Sequence, residues 1–312
     1  MKSFWQRWSP FLSPLFALFV VTISFLVIRK ELREYGLQEI IANWQAIPHQ
    51  RKLAAIALTS LGYLVMTGYD FLGFHYIKET LKPFKIAFTA FVSYAIGNTV
   101  GFTVFSGTMI RYRFYQPWGV PPLKIARLIV FTHMAFWLGI FAVGGSIFIF
   151  EHLTFPEVLK KMPFTTVRPL GVIFLIIVAL YFSLSFFQKK PLVINSESII
   201  IPKPGLSLAL ITVSAVDWLI ASGVLYLLLP RDFPLSYISF FGVYLIAMVA
   251  GLISSVPGGL GVFETVILLL RPDSVPAPAI LGSLLAYRGV YYFLPFIVAL
   301  ILFILQSFMK KQ

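Results

Sequence analysis

Ser254-Ser255-Val256-Pro257-Gly258-Gly259-Leu260-Gly261-Val262-Phe263-Glu264 interrupts an apolar region running from about Ile238 to Leu270. Pro257 has no N–H to give to a helix, and the glycines admit dihedrals that other residues avoid. A helix arriving from 236 is expected to break near Ser255, and a new one to begin around Val262. At membrane depth such a break survives only where it is buried in protein or lines a wet cavity. Amides at the new helix start carry positive dipole character and suit an anion such as a lipid phosphate, which makes Gly258, Gly259 and Gly261 candidate binding positions. Glu264 follows directly. An intramembrane carboxylate there can pair with a cationic head group, relay a proton, neutralise Arg288, or cap the freed amides. A surface loop between two spans is the competing reading. No Gly-Lys-Ser/Thr follows, so this is not a nucleotide phosphate loop.

The rest of the chain sets the context for that break. It has 312 residues, 59% of them hydrophobic and only 12% charged, with a mean hydropathy of +0.88. Several runs reach the ~20 apolar residues that carry a helix across a bilayer. The fold class is therefore all-α: a polytopic helical membrane protein of about eight spans with broken or re-entrant helices. The spans are expected near 11–28, 53–77, 86–105, 124–150, 170–187, 206–229, 236–256 and 279–308, the last bent at Pro295. The first lacks a small-x-small cleavage site and reads as an uncleaved span. Leu37, Ile40, Ile41, Trp44 and Ile47 recur at helical spacing beside polar residues, as in a helix lying at the interface.

Lys and Arg number 25 against 12 Asp and Glu. The basic residues lie in small groups between apolar runs, which fits anionic lipid head groups and argues against nucleic acid. Divided between the two sides, they nearly balance, so charge leaves the orientation open. Nothing in the sequence sets the oligomeric state. The absence of cysteine excludes disulfides, iron–sulfur clusters and cysteine catalysis. His49, His75, His133 and His152 show no metal-ligand spacing, and neither Gly-x-Ser-x-Gly nor HExxH occurs. No cofactor or metal is expected, and the chain is not read as an enzyme.

A second constellation is Asn98 to Tyr115, where an apolar span meets a polar Gly break at Ser106-Gly107, followed by Arg111 and Arg113. Two residues apart, these arginines cannot share one helix face. One is expected in a pocket and the other at head-group phosphate, which the planar guanidinium fork suits; interfacial snorkelling is the alternative. Asp70, Asp217 and Arg288 are further charges within spans and should face the bundle interior. Phe91, Tyr94, Ile96 and Gly101 match Phe241, Tyr244, Ile246 and Gly251 at one offset, which Gly139 and Gly289 share. With a small slip, Asp70-Phe71-Leu72 matches Asp217-Trp218-Leu219. The 312 residues thus read as a single integral-membrane domain with repeats at 53–150 and 206–308, parallel if every apolar run crosses and inverted if one is re-entrant.

Thr67-Gly68-Tyr69-Asp70-Phe71-Leu72, Ser106-Gly107 with Arg111 to Tyr115, Pro257 to Glu264, and Ala286-Tyr287-Arg288 together resemble the lysylphosphatidylglycerol synthase transmembrane family. The likeness is to the flippase half of the bacterial multiple peptide resistance factor and covers nearly the whole chain. It implies a phospholipid flippase of the bacterial cytoplasmic membrane, acting on anionic or aminoacylated (lysyl- or alanyl-) phosphatidylglycerol and linked to antimicrobial peptide resistance. Two-part members add a soluble aminoacyltransferase. This sequence ends at Met309-Lys310-Lys311-Gln312, directly after the last span, so lipid aminoacylation is not expected from it. The alternative is a lipid-binding membrane scaffold that recruits or regulates a separate lipid-modifying enzyme. A membrane enzyme using Glu264 as base lacks a nucleophile or metal signature.

Overall fold

The computed structural model describes residues 42, 44–100, 103–151, 167–187, 192–194, 197–199, 201–253 and 261–309. The expected first span at 11–28, most of the interfacial helix before Trp44, and Gly101, Pro257, Gly258 and Gly259 lie outside them. The described helices are α1 (His49–Ile77), α2 (Pro83–Val100), α3 (Thr103–Tyr115), α4 (Pro122–Phe150), α5 (Arg168–Phe187), α6 (Pro204–Leu228), α7 (Tyr237–Ile253), α8 (Val262–Leu269), α9 (Ala277–Tyr287) and α10 (Leu294–Met309). A π-helical segment, Arg288–Phe293, joins α9 to α10, and an antiparallel hairpin of β1 (Leu192–Ile194) and β2 (Glu197–Ile199) precedes α6.

Proline begins half of these helices, where its missing N–H costs nothing: Pro48 precedes α1, Pro83, Pro122 and Pro204 open α2, α4 and α6, and Pro276 precedes α9. Among the described residues five helices are long and apolar enough to cross a membrane: α1, α4, α5, α6 and the continuous 277–306 stretch. The protein is a polytopic helical membrane protein.

The expected span at 86–105 is divided. α2 ends at Val100 and α3 begins at Thr103, so Ser106 and Gly107 are helical and the break comes earlier than they suggested. α3 then runs back along α2. Phe114 meets Phe88 edge-on at 5.3 Å, the Tyr115 hydroxyl reaches the Ile86 carbonyl at 3.5 Å, and Lys85 lies 4.8 Å over Trp118. The last turn of α3 is thus level with the first turn of α2. Phe74 at the end of α1 packs on Tyr115, and Glu79 pairs with Lys124 at 2.7 Å just inside α4. The α2–α3 hairpin enters and leaves by one side.

The element order recurs. An acid-bearing helix (α1, α6) leads to a helix (α2, α7) that stops at a break, then to a shorter helix (α3, α8), then to a long span (α4, α9–α10). α8 has 8 residues, about 12 Å of helix. Its start meets the end of α9, Phe263 against Tyr287 with ring centroids 6.3 Å apart.

α1 and α6 form the central pair, and small residues let the backbones approach, as membrane helices require without a hydrophobic drive between them. A Cβ added at Gly62 would stand 2.9 Å from Ile220. At the α4–α6 crossing, a Cβ on Gly139 would stand 1.7 Å from Ser214 Oγ, and where α4 crosses α5, Gly145 and Gly171 face each other's carbonyls. α5 turns Ile173, Ile176, Ile177, Leu180 and Leu184 outward, as a lipid-facing helix does.

The last span deforms at Arg288–Phe293, where the Leu294 N–H reaches back to Gly289 in the wider π pattern. Pro295 lies just beyond. It has no N–H for the Tyr291 carbonyl one turn earlier. That carbonyl instead accepts the Tyr63 hydroxyl at 3.1 Å, and the neighbouring Tyr292 carbonyl lies 3.2 Å from Thr99 Oγ1. The Tyr63 side chain, on α1, satisfies the carbonyl that the bend exposes.

Candidate functional site

Arg111 and Asp70 meet in the core, 1% and 0% exposed. Arg111 Nε donates to Asp70 Oδ1 at 2.9 Å and Nη2 to Oδ2 at 2.7 Å, the bidentate fork that guanidinium and carboxylate geometry favour. Tyr115 adds a hydroxyl bond to Oδ1 at 3.0 Å, and the Arg111 guanidinium sits 4.8 Å over the Tyr94 ring. Asp70 is about 10 Å from the end of α1 at Ile77. The hairpin carries Arg111 back to that level. Gly107, one turn before Arg111, leaves room for the fork, since a Cβ there would stand 3.2 Å from Arg111 Nη1. Arg113, half-buried, lies instead over the Phe303 ring at 4.9 Å. The two arginines diverge as their spacing requires. Ser106 is buried in the same helix.

The second pair lies where the opening stretch ends. α7 runs to Ile253 and α8 begins at Val262, with Gly261 at φ +81° before it. Glu264 reaches back so that its Oε2 accepts the Gly261 N–H at 2.8 Å, the carboxylate half of a capping box. Its Oε1 accepts both Nε (2.7 Å) and Nη2 of Arg288. Two roles open in the sequence, capping a freed amide and neutralising Arg288, are filled by one side chain. Arg288 begins the π-helical segment after the 11 residues of α9, about 16 Å along that apolar stretch. Both members are buried, at 6% and 7% exposure.

Asp217 joins neither pair. Its Oδ2 accepts the Tyr69 hydroxyl at 3.0 Å, and its Oδ1 is buried without a hydrogen-bond partner. It nevertheless stands on the path between the pairs. Arg111 covers Tyr94, whose ring lies 5.8 Å from Tyr69, the donor to Asp217. Next along α6, Trp218 packs on Tyr244, whose hydroxyl lies 2.9 Å from that of Tyr287. Tyr287 meets Tyr292, which lies under Arg288. This buried tyrosine chain is what sequence reasoning passed over. The signal available was Tyr94 and Tyr244 at equivalent positions of the repeat. The structure brings Asp70 to Arg111 and Glu264 to Arg288, and leaves Arg113 apart on the α10 side of the hairpin.

This arrangement can be set beside known proteins. No family model matches the chain. It is 45% identical over 278 residues to the uncharacterized protein slr0712 of Synechocystis, covering 89% of this chain and 85% of that one. It is 30% identical to the inner membrane protein YbhN of Escherichia coli over 297 residues, 94% of this chain and 91% of YbhN. The chain belongs to the YbhN family. Membership spans nearly the whole sequence, so both buried pairs lie on elements within the shared length. The chain also resembles part of a larger protein. The phosphatidylglycerol lysyltransferase of Staphylococcus aureus is 27% identical over 288 residues, 92% of this chain but 33% of that enzyme.

Proposed function

We propose that this protein moves phospholipid head groups across the bacterial cytoplasmic membrane, with the two buried arginine–carboxylate pairs as the head-group sites. The observation that carries the reading is the position of those pairs. Each buries an arginine fork against a carboxylate within apolar helices, with one member on a short helix: Arg111 on the 13 residues of α3 and Glu264 on the 8 residues of α8. Intramembrane charges are expensive and mark substrate pathways. A phosphate offers an arginine fork the same paired oxygens as a carboxylate. In the proposed cycle the lipid phosphate takes the place of Asp70 on Arg111, or of Glu264 on Arg288. The released carboxylate is then free to pair with an amine on the head group. The acyl tails stay in the bilayer.

The similarity to a phosphatidylglycerol lysyltransferase supports a phosphatidylglycerol-type substrate, with or without an aminoacyl group. The Escherichia coli relative's inner-membrane description supports the location. The recurring element order supports two repeats. With each broken hairpin counted as re-entrant, three full crossings (α1, α4, α5) separate the halves, and the repeats are inverted, the design in which transporters place midplane sites at discontinuous helices. Lipid aminoacylation is not assigned to this chain.

The test is a leaflet assay in vesicles with purified protein and labelled phosphatidylglycerol or lysyl-phosphatidylglycerol. Wild type is expected to equilibrate the label, and Glu264→Gln and Arg111→Ala to slow it at least tenfold. Equal rates in all three would remove the residue assignment, and no movement of any anionic or aminoacylated lipid by wild type would remove the function. One observation favours a second reading, a static lipid-binding scaffold for a separate lipid-modifying enzyme: both arginines are already matched by carboxylates. Co-purification of such an enzyme without lipid movement would decide for it.

A further inference from the structure

We infer that Asp217 is a proton-binding site: its carboxyl is held protonated in this closed arrangement and exchanges that proton during the working cycle. Asp217 sits mid-way along α6, 6% exposed. One oxygen accepts a tyrosine hydroxyl and the other has no partner. Among the described residues no lysine, arginine or histidine pairs with it. Asp70 and Glu264, buried to a similar degree, each have an arginine. A carboxylate so placed without a counter-ion, with half its acceptor capacity empty, carries an uncompensated desolvation penalty, and such a group takes up a proton instead.

The surroundings agree. α1 presents Tyr63 and Tyr69, α2 Tyr94, α7 Tyr244 and the π-helical segment Tyr291 within electrostatic reach of Asp217. From α4, Phe136 packs on the adjacent Trp218, while His133 lies within reach of Asp70 and Arg111. α5 offers Tyr181, which bonds to Ser207, and α9 offers Tyr287, which bonds to Tyr244. These neighbours are hydroxyls and rings, which can hydrogen-bond a neutral carboxyl but not neutralise an anion. A metal ion is poorly served, since no group of three His, Cys, Asp or Glu gathers among the described residues.

On release, the O–H bond breaks, its electron pair stays on the carboxylate and the proton passes to water. The negative charge then rests on the carboxylate that accepts the Tyr69 hydroxyl, and Tyr69 packs on Tyr94, the ring beneath Arg111. Proton release is thereby placed beside the Arg111 site. Coupling to lipid movement rests on the function proposed above, whereas the proton site rests on its own geometry.

The experiment is infrared difference spectroscopy of the purified protein in lipid at neutral pH, in H2O and D2O. Expected is a protonated-carboxyl C=O band that shifts on deuteration, disappears in Asp217→Asn and persists in Asp70→Asn. Asparagine is isosteric and keeps an acceptor for Tyr69. Tyr69→Phe, which removes the hydrogen bond and leaves the carboxyl in place, should move the band without abolishing it. Absence of the band in wild type, or its survival in Asp217→Asn, overturns the site. In vesicles, a pH gradient should speed lipid movement several-fold in wild type and leave Asp217→Asn indifferent. Equal gradient response in both overturns the coupling. If wild type moves no lipid, the transport reading falls while the infrared band still decides the proton site.

Discussion

Replacing Asp70 by Leu and Arg111 by Met, singly and together, separates what the buried pair does for stability from what it does for function. Asp70 receives three hydrogen bonds, two from the Arg111 fork and one from Tyr115, in a site excluded from solvent. Arg111→Met leaves the carboxylate with Tyr115 alone. Asp70→Leu leaves a buried guanidinium facing the Tyr94 ring and apolar neighbours. Breaking a buried pair from one side costs about 3–5 kcal/mol, because the abandoned charge keeps its desolvation penalty. Independent effects would sum to roughly 6–10 kcal/mol in the double variant, enough to unfold most domains. Removing both charges removes the penalty, so the double variant should fall within about 1 kcal/mol of wild type or exceed it. Tyr115 keeps the Ile86 carbonyl, 3.5 Å away, as a partner. Reversible unfolding in mixed detergent, followed by tryptophan fluorescence, gives the four stabilities of the cycle. Additive losses in the double variant would refute a closed, mutually compensating pair.

Four further substitutions probe the frame that holds the sites. Gly139→Ala puts a Cβ 1.7 Å from Ser214 Oγ and 3.2 Å from the Ser214 backbone, so a loss of about 1–3 kcal/mol is expected, largely recovered in Gly139→Ala/Ser214→Gly; the same unfolding assay reads it. Gly261→Ala meets no atom within 4 Å but forces a Cβ into φ +81°, which should cost about 1–2 kcal/mol, whereas Gly205→Ala, equally open and without that dihedral, should be neutral or slightly stabilising. Tyr63→Phe removes the donor to the Tyr291 carbonyl that Pro295 leaves unmatched; about 1–3 kcal/mol should be lost, with faster amide exchange confined to the bend at 288–294.

How much of this could be read in advance differs by level. Apolar length alone predicted α1, α4, α5 and α6 to within a few residues, because a helix that crosses lipid leaves a long uninterrupted run. The same signal misread 86–105. A re-entrant hairpin is as apolar as a span, and only the return contacts of Phe114 and Tyr115 onto Phe88 and Ile86 tell them apart. The start of α8 at Val262 was legible because Pro257 and the glycines exclude a continuous helix. The charges Asp70, Arg111, Glu264 and Arg288 stood out for being within apolar segments, and the Glu264–Arg288 pair was among the readings left open. That Arg111 takes Asp70 as partner was not legible. It depends on the hairpin bringing the ninth residue of α3 to the level of Asp70. Tyr94 and Tyr244 were marked by their matching places in the repeat, but nothing in the sequence showed a buried tyrosine chain, since an aromatic in an apolar run most often packs as core.

The most direct test of the central claim, that these buried pairs are head-group sites, is the leaflet assay applied to Asp70→Leu/Arg111→Met. That variant is expected to be as stable as wild type yet to have lost the arginine fork. Wild-type protein should equilibrate labelled phosphatidylglycerol between leaflets, and the double variant should be slower by at least tenfold while unfolding at the same detergent fraction. A double variant that moves lipid at the wild-type rate would contradict the claim and leave the Asp70–Arg111 pair a structural element.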